Sequence, residues 1–524
     1  MKYIQLYDTT LRDGAQAEGV SFSLHDKCQL AERLAALGFD YVEGGYPASN
    51  EKDFTFFERM AGREFPHTRI TAFGMTRRKN SDPAADSGLR ALLDSRASVI
   101  TMVGKSSRFQ VVDILQVTEE ENLRMIRESV AFLTEAGREV IFDAEHFFDG
   151  WRENPEYSLR CLTAARDAGA KTLVLCDTNG GSLQDTIYDG TRDVVTKLGI
   201  PVGIHCHNDC ELAVANSLAA VEAGAVQVQG CLNGFGERCG NANLISIAAN
   251  LALKKGYDVL QPGSIAALTE LSRYVYEMVN LPAPSHQPYV GKSAFAHKGG
   301  MHVSAINRNS RSYEHVPPAS VGNESRVLVS ELSGRSNIIA MAVKHNIQTD
   351  PVLLEKILAK VVSRESRGYA YEAAEGSFDL LVKKCAGTFT PHFELVKYHI
   401  NITSKNEMSK NWTEAVVKLK IGGREFYEVA DGDGPVDALD TALRKALTES
   451  YPNLASMHLL DYKVRVINSE AATAAGVRVV IESRDDTDTW GTVGVSENVV
   501  EASWIALTDS FEYKLFKDGR APVL

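Results

Sequence analysis

VGIHCHND, residues 202–209, carries two histidines two positions apart, with Pro201 before it and Cys210 after it. On a strand, successive side chains alternate faces, so His205 and His207 point one way and Cys206 the other. That is how a strand presents two imidazoles to one metal ion. The competing reading is a pair of histidines satisfied by hydrogen bonds in a polar barrel mouth. A carboxylate joining the pair decides between the two.

Working outward, the same kind of phrase recurs from residue 3 to about residue 255: a helical stretch, a glycine near its end, a short apolar strand, then polar residues. The strand phrases are IQLYDTT (4–10), FDYVEGG (39–45), RITAFGM (69–75), SVITMVG (98–104), EVIFDAE (139–145), TLVLCDTN (172–179), VGIHCHND and VQVQGCLN (226–233). Between them lie helical segments such as SLHDKCQLAERLAALG (23–38), where Ser23 is placed to cap the start and Gly38 the end. Strands alternating with helices imply parallel pairing through right-handed crossovers, and eight such units close a (β/α)8 TIM barrel. A doubly wound open sheet is the rival. The barrel is preferred because polar residues collect at the C-terminal end of strand after strand, where barrels place their active sites.

Three domains are expected: a catalytic barrel over 1–280, a mainly helical linker subdomain over 281–392 opening with the Pro-, Gly- and His-rich LPAPSHQPYVGKSAFAHKGGMH, and a C-terminal α+β domain over 393–524. The last reads as two βββα units, each with too small a core to stand alone, so the halves are expected to pack together. The chain of 524 residues has a formal charge of −12, with 44% hydrophobic and 24% charged residues. Such a balance argues against nucleic acid or an anionic membrane as the main partner and favours small-molecule chemistry. MKYIQLYDTTLRDG holds no long apolar run and nothing approaches a membrane span, so a cytoplasmic location is expected. Eight scattered cysteines with no CxxC pair read as reduced thiols.

After the first strand, TTLRDGAQAEG places Arg12 and Asp13 before Gly14, with Gln16 on the same loop. Across a small barrel mouth, Asp13 supplies the missing carboxylate. Two neutral imidazoles and one carboxylate, with open positions left for substrate, suit Mg²⁺, Mn²⁺ or Zn²⁺. The competing reading of Arg12 and Asp13 is a structural ion pair. Strand five ends in DAEH, which aims Asp143 and Glu145 at one face. Strand six ends in CDTNGG and offers Asp177, Thr178 and Asn179. After strand eight, NGFGERCGNANL brings Glu237, Arg238 and Asn241 to the next helix, and its glycines permit close backbone approach.

LYDTTLRDGAQAEG, HCHND, GERCGNANL and AFAHKGGMHVSAI, in that order, resemble the alpha-isopropylmalate, homocitrate and citramalate synthase family over nearly the whole chain. YVEGGYPASNEKD, VIFDAEHFFDG and VLVSELSGRSNI are most similar to its citramalate branch. The resemblance implies a Claisen condensation of acetyl-CoA, the co-substrate, with a 2-oxo acid, here pyruvate. It also implies a divalent metal held by Asp13, His205 and His207 with Asn241 close by or ligating. Arg12 would share the charge developing on the ketone oxygen, and Thr178 would hold the oxo-acid carboxylate. Gln16 and Glu237 would line the substrate site, and Glu145 would order the acetyl group.

The proton of the acetyl methyl would go to a histidine of the linker subdomain, often supplied by a partner subunit. His302 is favoured over His297, which makes a homodimer the expected state. The chain departs from the family around VGNESRVLV (321–329), where the downstream tyrosine of relatives has no counterpart, so the second proton-transfer group is open. The C-terminal repeat resembles the family's allosteric domain, with isoleucine as the implied effector.

The nearest alternatives are a 2-isopropylmalate or homocitrate synthase, and more distantly an acyl-CoA lyase using a cysteine after strand eight. Cys239 stands near that place but reads as a small buried residue. A catalytically dead amino-acid sensor is disfavoured by the intact Arg-Asp and His-x-His set.

Overall fold

The computed structural model describes residues 2–327, 351–371, 373–403, 412–467 and 475–521. Residues 328–338, nearly all of VLVSELSGRSNI, lie outside the described residues. Two compact units emerge: Met1–Phe295 with Val316–Glu324, and Ala296–His315 with Ser325–Leu524.

In the first unit, each of the eight strand phrases forms a strand. These are β1 (Gln5–Asp8), β2 (Tyr41–Gly45), β3 (Arg69–Met75), β4 (Val99–Lys105), β5 (Glu139–Glu145), β6 (Thr172–Asp177), β7 (Val202–Cys206) and β8 (Gln227–Gly230). They pair in parallel in sequence order, and β8 closes on β1, so the expected (β/α)8 barrel is the observed fold. Alternation along the strands sorts the side chains into two cores. Tyr7, Tyr41, Val99, Ile141, Val174 and Cys176 form the filling of the barrel. Residues of opposite parity, such as Leu6, Val42, Ile100, Phe142, Leu173 and Ile204, join the layer that packs on the helices. Inside the barrel the Tyr7 hydroxyl meets Glu43 at 2.8 Å, Thr71 at 2.9 Å and Thr101 at 2.6 Å, which satisfies a buried phenol in an otherwise apolar stack.

The helix Leu24–Leu37 shows how local sequence sets boundaries. Ser23 accepts the N–H of Asp26 while the Asp26 carboxylate accepts the N–H of Ser23, and Gly38 closes the helix at φ 89°. Among the described residues, no helix is long and apolar enough to cross a membrane. All eight cysteines are free thiols.

In the second unit the two-residue strands β9 (Ala296–His297) and β10 (Arg326–Val327) pair in parallel. Two antiparallel sheets follow: β11 (Glu394–Thr403), β12 (Trp412–Ile421) and β13 (Arg424–Gly432), then β14 (His458–Val466), β15 (Val477–Arg484) and β16 (Thr489–Ser496). Each is completed by a helix, Pro435–Thr448 and Val499–Lys517, giving the two expected βββα units. Gly422 and Gly423, both at positive φ, make the tight turn between β12 and β13. Val417, Leu419, Leu439 and Leu443 of the first half share one core with Ile481, Trp490, Trp504 and Phe511 of the second, so neither half buries its apolar face alone.

His392 ties the start of this domain to its last helix. Its Nδ1 lies 2.6 Å from Glu512 Oε2 and its Nε2 2.9 Å from the Arg520 carbonyl oxygen. With acceptors at both nitrogens the ring favours the doubly protonated form. Burial opposes that charge, but the bond to Glu512 prevails and the pKa is raised above its ordinary 6.5. The folded state therefore holds the proton more tightly than the unfolded chain, and the stabilisation is complete below about pH 6.5 and lost as pH rises through the folded value. We expect the melting-temperature difference between wild type and His392→Gln to shrink as pH is raised from 6 to 9, followed by calorimetry on the full chain.

Candidate active site

The polar ends of the strands surround a cavity of about 310 Å³ at the C-terminal mouth of the barrel, lined by Arg12, Asp13, Gln16, Asp143, Glu145, Thr178, His205, His207, Glu237 and Arg238 among others. At its base, Asp13 Oδ2 lies 3.3 Å from His205 Nε2 and 4.0 Å from His207 Nε2, and the two Nε2 atoms are 3.4 Å apart. All three side chains are buried. His205 and His207 share a face as strand alternation requires, and the Cys206 thiol turns away to Ser217 of the helix Ala213–Ala223.

Asn241 reaches the cluster because the loop after β8 folds back to form an antiparallel bridge between His207 and Asn241. Its Nδ2 donates to Asp13 Oδ2 at 3.0 Å and stands 3.3 Å from His205 Nε2. Its Oδ1 is buried without a hydrogen-bond partner, as is His207 Nδ1. Three donor atoms lie mutually within 4.8 Å, and an unsatisfied amide oxygen stands beside them. Such a set fits a divalent cation: mixed N and O donors, one carboxylate, and room on the cavity side.

Electrostatics favour the ionised carboxylate. Burial works against Asp13, but the Arg12 guanidinium and the two imidazoles outweigh it and hold its pKa well below the usual range. Burial and the neighbouring His205 push His207 down to about 4, leaving that imidazole neutral and able to ligate. Asp143, buried at the cavity wall, is pushed up to about 7 by burial.

Arg12 is fixed on three sides. Its Nε donates to Glu43 Oε2 at 2.6 Å, its Nη1 lies 3.5 Å from Asp13 Oδ2, and its guanidinium stacks 3.8 Å above the Phe73 ring. Glu145 is paired with Lys105 at 2.6 Å. The Thr178 hydroxyl accepts the backbone N–H of His146 at 2.8 Å, so its own O–H is left to donate. Arg238 clamps the rim, with Nε and Nη2 donating side by side to the two Asp209 oxygens and Nη2 also donating to the Thr178 carbonyl oxygen. Glu237 sits beside it, largely exposed.

The other residues of the polar bowl divide by strand parity. Thr178 faces the cavity, but Asp177 turns outward to clip the hydroxyl and N–H of Ser182, and Asn179 donates to Asp149. Cys239, which the sequence reads as buried, is exposed on the loop, because the turn closed by Gly240 N–H on the Glu237 carbonyl oxygen projects it outward. His302 belongs to the second unit. It lies on the helix Gly300–Arg308, exposed, with its ring stacked on Tyr313 at 3.9 Å. His297 is buried there, 3.4 Å from Glu314.

Sequence reasoning misses Glu43, Phe73, Lys105 and Gln229. Parity holds the signal for Glu43 and Gln229, since Glu43 shares a face with Tyr41 and Gln229 with Gln227, polar side chains placed inside the barrel.

Gly236 guards Asn241. At φ 155°, a Cβ there would stand 1.9 Å from Asn241 Oδ1. Gly236→Ala is expected to displace that amide and lower turnover by about 10-fold or more, with the melting temperature of the barrel changed far less. Steady-state kinetics beside a thermal melt check it.

Comparison with known proteins agrees with this architecture. The HMGL-like family model matches residues 3–275, the homocitrate synthase post-HMGL domain-like model 289–368, and the LeuA allosteric (dimerisation) domain model 372–515. The chain is 50% identical to an (R)-citramalate synthase of Aquifex aeolicus, covering 99% of each chain, and 50% identical to one of Geobacter sulfurreducens, covering 99% of this chain and 98% of that one. A probable 2-isopropylmalate synthase of Methanopyrus kandleri is 31% identical over 95% of this chain and 96% of its own. The chain belongs to the HMGL-like family, in its citramalate synthase branch.

Proposed function

We propose that the chain condenses acetyl-CoA with pyruvate and water to give (R)-citramalate and CoA. What carries this reading is the convergence of Asp13, His205 and His207 at the mouth of a barrel in a chain that aligns end to end with (R)-citramalate synthases. Asp13, His205 and His207 would hold a divalent cation, Mg²⁺, Mn²⁺ or Zn²⁺, with Asn241 close by or ligating. That cation would supply Lewis-acid polarisation of the ketone.

The chain's own groups do the rest. Arg12, immobilised by Glu43 and Phe73, presents fixed guanidinium N–H groups to the oxygen on which negative charge grows, a preorganised donor in a largely buried position. The Thr178 hydroxyl donates to the oxo-acid carboxylate, with Gln16 and Glu237 at the rim. Glu145, held by Lys105, orders the acetyl group. The proton of the acetyl methyl goes to His302, supplied by a partner subunit, and the resulting carbon forms a bond to C2 of pyruvate as the ketone oxygen takes up a proton. Water then cleaves the thioester, releasing CoA and leaving the new carboxylate.

The LeuA dimerisation domain supports a homodimer through the C-terminal unit. Exposed apolar side chains on its sheets, including Val396, Ile402, Leu460 and Val466, are consistent with that surface. We assign isoleucine as its effector, the pyruvate-derived isoleucine route as its pathway and the cytoplasm as its location.

Thiol release from acetyl-CoA, assayed against pyruvate, 2-oxobutyrate, 2-oxoisovalerate and 2-oxoglutarate with and without chelator, tests the function. Pyruvate is expected to give the highest kcat/KM, and complete metal removal to abolish activity. Preference for 2-oxoisovalerate would move the chain to the 2-isopropylmalate reaction. Cys239→Ala is expected to retain activity within about twofold, since condensation gives that exposed thiol no part in proton transfer. A loss of orders of magnitude would point to lyase-type chemistry.

A further inference from the structure

His205 and His207 are held very differently. His207 Nδ1 is buried without a partner, whereas His205 Nδ1 lies 2.9 Å from Gln229 Oε1. Gln229 sits on β8, in register with His205 on the neighbouring strand β7, and is fully buried. Its other amide atom, Nε2, donates to Asp143 Oδ1 at 3.0 Å. Asp143 comes from β5, so this hydrogen bond crosses the interior of the barrel.

We infer that Gln229, oriented by Asp143, is a positioning residue that fixes His205 as the anchored metal ligand. The inference rests on the metal-dependent reading above. An amide donates only through nitrogen and accepts only through oxygen. With its NH₂ committed to the Asp143 carboxylate, Gln229 can offer His205 only its oxygen. His205 Nδ1 must then carry a hydrogen, so Nε2, the nitrogen facing Asp13 and the cavity, is the one left for a cation. The Nδ1–H bond and the ring orientation needed for ligation are thereby set before any cation arrives. His207, with no such restraint on Nδ1, is the adjustable ligand of the pair.

The direct test is Mn²⁺ affinity of the full-length chain without either substrate, with free Mn²⁺ read by electron paramagnetic resonance. Gln229→Leu removes the acceptor and is expected to weaken Mn²⁺ binding by about 10- to 100-fold. The double variant Asp143→Asn with Gln229→Glu exchanges carboxylate and amide along the same path. There the carboxylate at position 229 accepts Nδ1–H from His205 through one oxygen and the amide N–H from position 143 through the other. Affinity is therefore expected to return close to wild type.

Should Gln229→Leu fail to fold, Gln229→Asn, one methylene too short to reach His205, carries the same expectation. A loss below about threefold in the single variant, or no recovery in the double variant, overturns the inference. Wild-type chain that binds no Mn²⁺ removes the proposed function as well. Tight wild-type binding undiminished by Gln229→Leu removes this inference alone.

Discussion

One carboxylate facing two imidazoles across the barrel mouth is the constraint on which the rest of the molecule depends. Asp13 Oδ2 stands 3.3 Å from His205 Nε2 and 4.0 Å from His207 Nε2, although the carboxylate follows the first strand of the barrel and the imidazoles stand on and just after the seventh. Burying such a cluster is costly unless each group is paired or coordinated. The protein meets that cost with Arg12 beside the carboxylate, Gln229 behind His205 and Asn241 bridging Asp13 and His205. The unsatisfied atoms that remain, Asn241 Oδ1 and His207 Nδ1, belong to the same cluster.

The barrel makes this arrangement nearly obligatory. Closure of β8 on β1 sets the loop carrying Arg12 and Asp13 next to the strand before Asn241, and the pairing of β7 with β8 sets His205 beside Gln229. Interior-facing positions then alternate between packing and chemistry. Low in the barrel they are Tyr7, Tyr41, Val99 and Ile141; at the mouth they become Asp143, Thr178 and His207. Tyr7 joins the two levels, since its hydroxyl holds Glu43, which in turn holds Arg12. A packing defect at Tyr7 would therefore reach the guanidinium through two hydrogen bonds.

Much of this is legible in the residues. The eight strand phrases show because each couples an apolar run to a polar end, and the Ser23 and Gly38 boundaries show because capping is local. His205 and His207 show because alternation is a property of a single strand. Parity places Glu43 and Gln229 inside the barrel, but their pairings do not show, because the partners lie on other strands and only the register of the closed barrel brings them together. Asp177 and Asn179 mislead for the converse reason: both stand at a strand end, but parity and the turn to Ser182 send them away from the cavity. Cys239 escapes because exposure within a Gly-rich loop depends on turn geometry, which composition does not encode. The link from His392 to Glu512 spans 120 residues and joins two halves of a domain, so no local pattern announces it.

The most direct measurement of the central claim is an anomalous difference map from crystals of the chain grown with Mn²⁺. A single strong peak within coordination distance of Asp13 Oδ2, His205 Nε2 and His207 Nε2 is the result this account predicts. A peak elsewhere, or none at full saturation, would contradict it.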